Sequence, residues 1–355
     1  MKTAVFMMCL CLITASLAAQ GIQTVDRSRI SMSAGVVPDS VSLCGLSVVD
    51  NRVIWASGSR GTVALSTDSG HTFSMKQLAG YERCDFRDIE AFDDKRAVIM
   101  SIGTPAYILR TDDGGDTWKE AYKNTDTAYF LDAMDFWNER YGVIVGDPVN
   151  GRFVVLHTAD GGNTWKEDPH APQAIPGEAV FAASGTSLRC WGRKDFGFVS
   201  GGSQSVLYRS KRNAGKWQTV STGLAGNGMG AFSFCIALQD ILFTGGDYRQ
   251  DRNDSFANFS IVSHPHQLLS FPASGPAGYK SGVELLDEPG NLTRYRVVVT
   301  GTSGTQVGTY ALGGVHFRFT FGPEMEPFHV VRKAKRGNAV FLAGSRGRIG
   351  RLKLK

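Results

Sequence analysis

Aspartates in a fixed local setting are the first chemistry this chain offers. The segments Ser66-Thr-Asp-Ser-Gly-His-Thr-Phe73, Arg110-Thr-Asp-Asp-Gly-Gly-Asp-Thr-Trp118 and His157-Thr-Ala-Asp-Gly-Gly-Asn-Thr-Trp165 repeat one pattern. Asp68, Asp113 and Asp160 invite a catalytic reading, but the residues around them favour a structural one. An aspartate accepts hydrogen bonds from amides of its own turn, and Gly70, Gly115 and Gly162 supply the positive φ a tight hairpin needs. Thr72, Thr117 and Thr164 add a second local bond. Phe73, Trp118 and Trp165 are large apolar pegs beneath the turn, each worth about 2–3 kcal/mol when buried. These aspartates are expected to fasten turns between third and fourth strands, at a rim far from any axis.

A second set of polar residues is not explained by the repeat. Asp88 and Asp132 fall at similar template positions, with Arg87 beside the first and Arg189 on a later equivalent strand. Asp147, Glu178, Asp247 and Tyr248 lie in loops whose composition no hairpin requires. Carboxyl and guanidinium groups converging on one pocket bind polar ligands, or perform acid–base work when one carboxyl pKa is raised. A solvated channel in which they pair with each other is the competing expectation.

The elements that position both sets follow from a period of about 45 residues, the length of a four-stranded blade. Each turn is preceded by the same series. Leu43-Cys-Gly-Leu-Ser-Val-Val-Asp50, Phe86-Arg-Asp-Ile-Glu-Ala-Phe-Asp93 and Phe130-Leu-Asp-Ala-Met-Asp-Phe136 are first strands. Val53–Gly58, Ala97–Gly103 and Gly142–Gly146 are apolar second strands ending in glycine, and Thr62–Leu65, Tyr107–Leu109 and Phe153–Leu156 lead into the Asp-Gly turns. Second strands recur at Phe196–Gly201, Ile241–Gly246, Tyr295–Gly301 and Asn338–Gly344, and Gly344-Ser-Arg-Gly347 echoes Gly58-Ser-Arg-Gly61. The fourth copy of the turn is worn to Asn213-Ala-Gly-Lys-Trp217, and later copies lack it. The expected fold is all-β, a seven-bladed β-propeller of four-stranded antiparallel blades. The chain ends after a third strand, so Val25–Met32 is expected to supply the missing outer strand and close the ring, leaving no open edge.

Lys2, the apolar run Ala4–Ala15 and small residues through Ala19 read as a secretory signal peptide over 1–19, too short to span a bilayer. Cys9 and Cys11 lie inside that run without a lipobox. Residues 20–355 then form one domain, expected to be secreted or periplasmic and monomeric. An oxidising compartment permits disulfides among Cys44, Cys84, Cys190 and Cys235, with Cys190–Cys235 favoured on repeat position and buried thiols as the alternative. The net charge of +5 is mild. Its placement is not: after Glu326 come Arg332, Lys333, Lys335, Arg336, Arg346, Arg348, Arg351, Lys353 and Lys355 with no acid. That field suits an anionic polymer or an acidic protein segment, or is a solvated rim; nucleic acid is not expected in that compartment.

The longer strings resemble a family. Leu46-Ser-Val-Val-Asp50 with Gly58-Ser-Arg-Gly61, Asp85–Phe92, Asp147-Pro-Val-Asn-Gly-Arg-Phe153, Gly177–Ser187 and Gly245-Gly-Asp-Tyr248 are similar to Asp-box (BNR-repeat) propellers of the photosystem II stability/assembly factor type. The resemblance spans almost all of the chain beyond residue 19 and is strongest from Ser42 to Tyr248. It implies a binding or assembly factor for a protein or polymer of the cell envelope, with no assigned reaction to carry over.

Enzymatic readings find less support. A sialidase needs three arginines on a carboxylate, and the only string near its first arginine motif is Arg29-Ile-Ser31, without the proline. A glycan hydrolase using axial carboxyls is the rival to binding. No dinucleotide-binding Gly-x-Gly-x-x-Gly follows a strand and opens a helix, so an oxidoreductase has no footing. No cofactor and no metal site are expected; His264-Pro-His266 reads as a loop, and the sequons at Asn253, Asn258 and Asn291 carry little in a bacterial host.

Overall fold

The computed structural model describes residues 25–27, 29–32, 40–210, 217–237, 240–254, 258–263, 267–270, 275–288, 291–311 and 318–353. The segment 1–19 with Cys9 and Cys11, the worn turn at 213–216 and His264–His266 lie outside the described residues.

Seven antiparallel sheets form the body. The short β-branched runs between Gly and Asp turns become strands because each buries side chains on both faces, against the blade before and the blade after. Blade 1 is Leu43–Val48, Ile54–Gly58, Thr62–Ser66 and Thr72–Gln77. Blade 2 runs from Asp85–Ala91 to Lys119–Asn124, and blade 3 from Leu131–Phe136 to Lys166–Glu167. The inner strands of blades 4 to 7 are Leu188–Trp191, Gly226–Ala237, Gly282–Glu288 and Val330–Lys333.

Closure is visible in the contacts. Each inner strand touches the next around the full series, and Val330–Lys333 returns to Leu43–Val48. The apolar interior follows the same plan: seven clusters of buried side chains, one at each seam between neighbouring blades. The core is therefore a ring of wedges rather than one central mass.

The N-terminal strand closes the ring, with a refinement. Val25–Arg27 pairs antiparallel with Ile349–Leu352 and completes blade 7, whereas Arg29–Met32 runs parallel to Thr72–Gln77 on the outer edge of blade 1. One continuous closing strand was expected; the two pieces instead clamp both sides of the seam. The echo between Gly58–Gly61 and Gly344–Gly347 is also conformational. Arg60-Gly61 and Arg346-Gly347 both take positive φ, at 60° and 64° and at 61° and 62°, the pair that a tight hairpin between right-twisted strands demands.

All four cysteines of the described body are free thiols, so the Cys190–Cys235 bridge is not formed. The two residues do line one small cavity together. Asn258, in one of the sequons, is buried and donates to the Gly278 carbonyl at 2.7 Å.

Candidate functional site: the axial mouths of the ring

The Asp-Gly turns do not face the axis. In each, one aspartate oxygen receives the amide and the other the hydroxyl of the threonine four residues on: 3.0 and 2.7 Å at Asp68, 2.9 and 2.6 Å at Asp113, 3.0 and 2.6 Å at Asp160. The preceding hydroxyl of Ser66, Thr111 or Thr158 donates to the aspartate at 2.8 Å and accepts the amide of Gly70, Gly115 or Gly162. The Thr72 hydroxyl and amide hold the Asp68 carboxyl down to about 2, and Asp113 is lowered by the matching pair from Thr117. At Asp160 burial opposes the Thr164 bonds, and the bonds win.

The glycines explain why these turns matter between blades. A Cβ on Gly70 would lie 2.4 Å from Phe341 of blade 7, and one on Gly162 would lie 2.7 Å from Val98 of blade 2. Each turn presses onto the second strand of the preceding blade.

The axis holds two cavities at opposite ends of the inner strands. The larger, about 570 Å³, is lined by residues near the start of inner strands, such as Arg87, Asp132, Phe232 and His329, and near the end of second strands, such as Asp147 and Tyr248. The smaller, about 390 Å³, is lined by residues a few positions further along, including Glu90, Asp135, Arg189, Glu284, Arg332 and Lys335. We call these the entry and exit mouths.

A bulge decides which side chains reach the entry mouth. The pairing of first with second strands slips between Leu43 and Gly45, Phe86 and Asp88, Leu131 and Ala133, and Ala231 and Ser233. The extra residue in each case is Cys44, Arg87, Asp132 or Phe232, and all four line the entry cavity. A bulge re-aims a side chain by inserting one residue against an unbroken partner. This corrects the template: Asp132 is the structural equivalent of Arg87, and Asp88 lies one position deeper.

Between the mouths the channel is plugged. Residues 180–187 meet inner strands from opposite sides of the ring. Arg87 donates to the Ala182 carbonyl at 2.9 Å, Ser184 to the Ser281 carbonyl at 2.6 Å, and Arg332 to the Gly185 carbonyl at 3.2 Å. Gly185 sits against Asp88, where an added Cβ would meet the carboxyl carbon at 2.3 Å. This is the physical role of the Gly177–Ser187 string, whose composition the repeat alone did not require.

The expected site residues therefore divide. Arg87, Asp132, Asp147 and Tyr248 share the entry cavity. Arg189 belongs to the exit mouth, bonded to the Phe234 and Val283 carbonyls at 3.1 and 3.0 Å and 3.5 Å from Glu284. Asp88 staples blades, accepting the Met134 amide at 2.8 Å, with Arg332 at 4.0 Å. Glu178 is a buried fastener accepting from Tyr208 at 2.8 Å and from the Ser200 hydroxyl. Asp247 accepts the Arg249 amide at 2.9 Å and pairs with its side chain at 3.2 Å, capping the turn that carries Tyr248. Sequence reasoning missed Phe181, Phe232, Tyr279 and His329, which look like ordinary core residues in a chain with 10% aromatics.

Electrostatically the entry mouth is poor in free positive charge. Arg87 is held by Asp85 at 2.8 Å, and burial pushes His329 down to about 4, leaving it neutral. Burial raises Asp88 to about 7 and Asp147 to about 6; it also raises Asp132 well above the usual carboxyl range, with the nearby Asp147 adding to the shift through like charge. Neither Asp132 oxygen has a well-formed hydrogen bond. The C-terminal basic run is dispersed: Lys335 pairs with Glu90 at 2.5 Å, Arg348 with Glu326 at 3.4 Å, and Arg351 lies over the Phe341 ring at 5.9 Å. Among the described residues no group of three or more His, Cys, Asp or Glu is arranged to hold a metal ion, and no helix is long and apolar enough to cross a membrane.

Residues 84–229 match the family model for the photosynthesis system II assembly factor YCF48. No curated protein sequence matches the chain. A solved structure described as YCF48 bound to D1 peptide aligns with a TM-score of 0.60 at 13% identity, covering 96% of this chain and 100% of that one. YCF48 from Cyanidioschyzon merolae aligns with a TM-score of 0.61 at 12% identity, covering 93% and 99%. At such identities the likeness to solved structures speaks for the fold alone. The family signature in residues 84–229, within a seven-bladed body of the same fold, supports an Asp-box propeller of the photosystem II assembly factor-like type.

Proposed function

We propose that this chain is a protein-binding assembly factor that receives a segment of a partner polypeptide at the entry mouth. The observation that carries the reading is the cavity of about 570 Å³ lined by Phe181, Phe232 and Tyr248. Tyr248 is 52% exposed at its lip, while Phe181 and Phe232 stack at 4.0 Å behind it. Aromatic anchors beside a small number of polar groups are the usual make-up of a recognition pocket. The family supports the reading, and the description of one relative, YCF48 bound to D1 peptide, provides a precedent for a polypeptide ligand on this fold.

Export to the cell envelope is part of the proposal, motivated by Lys2 and the apolar run Ala4–Ala15. N-terminal sequencing of protein recovered from fractionated cells tests it: a mature chain beginning at Ala19 or Gln20 outside the cytoplasm supports export, and an intact Met1 in the cytoplasm refutes it. The rival glycan hydrolase is less well served. Asp88 is sealed behind Gly185 and lines neither axial cavity, which removes it from any carboxyl pair acting on a ligand. A hydrolase of that kind places two carboxyls on either side of a sugar.

The binding reading is tested by photo-crosslinking in cells. Tyr248→p-benzoylphenylalanine is expected to capture one dominant polypeptide, and Asn163→p-benzoylphenylalanine, at the exposed tip of a rim turn, is not. Deleting the chain should then lower the level of the captured protein. Equal capture from both positions, or none from Tyr248, overturns the reading.

A further inference from the structure

We propose that the entry mouth reads a cationic side chain of the partner segment, a lysine or arginine, seated against Tyr248 and the stacked Phe181–Phe232 pair with its charge against Asp132 and Asp147. The inference rests on the proposed binding role and names its chemistry.

Three observations converge. First, the one cation in the cavity is already committed: Arg87 is bonded to Asp85 at 2.8 Å and to the Ala182 carbonyl at 2.9 Å. Second, Asp132 lines the cavity, is 0% exposed, and has no well-formed hydrogen bond on either oxygen, with the Asp147 and Ala182 amides near enough to ease its charge. A buried carboxyl group without a well-placed donor is costly, and an incoming cation repays that cost. Asp147 lies close enough for its charge to oppose that of Asp132, while its Oδ1 accepts the Val180 amide at 2.9 Å. Third, aromatic rings form much of the rest of the wall. Phe232 lies 4.8 Å from Tyr279, 6.1 Å from Tyr248 and 4.0 Å from Phe181. Aromatic faces attract an organic cation and stabilise its alkyl stem, whereas a hard metal ion asks for six or more oxygens. The carboxyls supply too few, and among the described residues no metal-holding cluster is present.

The groups facing Asp132 are Asp147, Arg87 and the backbone around Ala182. Burial raises the carboxyl's pKa, so a cation seated against it favours the charged form and the release of a proton. The event is a plain exchange: Asp132 gives its proton to solvent and accepts a hydrogen bond from the ammonium or guanidinium group.

The test uses the full chain and decapeptide pools with one fixed position: lysine, arginine, N-acetyl-lysine, norleucine or glutamate. The lysine and arginine pools are expected to be retained at least tenfold better than the acetyl-lysine and norleucine pools. Asp132→Asn should erase that preference while neutral pools bind as before, and Asp147→Asn should weaken it. Tyr248→Ala should lower retention of every pool. Calorimetry of a retained lysine peptide in two buffers of different ionisation enthalpy should show proton release that Asp132→Asn abolishes. Equal retention of lysine and norleucine, or preference for glutamate, overturns the cation site and leaves the binding reading standing. Retention of no pool at all overturns both. Thermal melting of each variant shows whether it is folded.

Discussion

Rim and hub use the same side chain in opposite ways. At the rim, Asp68 is surrounded by donors from its own turn and held ionised, at about 2. At the hub, burial lifts Asp88 to about 7 and Asp147 to about 6. Hydrogen bonds to a carboxylate favour its charge, and removal from water disfavours it. The first environment is self-contained, because a repeat of eight residues provides every partner. The second is incomplete: Asp132 has no well-formed hydrogen bond. A satisfied group fastens and an unsatisfied one waits for a ligand, and this difference separates scaffold from site.

The comparison breaks first under the heaviest change at the rim. Trp165→Ala removes a side chain only 7% exposed that meets Phe136 edge-on at 5.8 Å, and should cost about 3–5 kcal/mol in denaturant unfolding. A loss under about 1 kcal/mol would mean that the turns do not fasten the blades.

The two environments should next show opposite pH dependence. Asp88 binds its proton more tightly folded than unfolded, so its contribution is full below about pH 4 and is lost as pH rises towards 7. Stability should fall across that window by about 1 kcal/mol per pH unit from this group, and Asp88→Asn should flatten the slope. Asp68 has the reverse sign: its contribution is present above about pH 4 and lost as pH falls towards 2. A wild-type curve rising from pH 4 to 7 would contradict the hub assignment.

Asp160→Ala strips three local hydrogen bonds from a partly exposed turn and should cost about 1–2 kcal/mol at neutral pH, measured by thermal unfolding. The smallest effect on stability belongs to the residue given the largest role in binding. Tyr248→Ala should shift stability by no more than about 0.5 kcal/mol, since the side chain is 52% exposed, yet reduce partner capture severalfold.

Much of this was legible in the sequence. Alternating apolar runs closed by Asp-Gly and Arg-Gly turns announced the blades, because each turn needs particular residues at particular positions. Tyr248 and Asp147 stood out because no hairpin requires them. The hub was harder to read. One extra residue in a strand changes which side chain points inward without marking the composition, so the repeat template aligns Asp132 with Asp88, whereas its structural equivalent is Arg87. The template places Arg189 with Arg87 on one mouth, but residues 180–187 occupy the channel ahead of Leu188–Trp191 and Arg189 lines the other. Phe181 and Phe232 carry no polar group, and only their position around a cavity sets them apart from core.

Carboxyl-carbon NMR titration of aspartate-labelled protein tests the division between rim and hub most directly. The account predicts a midpoint near 2 for Asp68, and midpoints near 7 for Asp88 and 6 for Asp147. Hub resonances titrating together with exposed aspartates near pH 4 would contradict it.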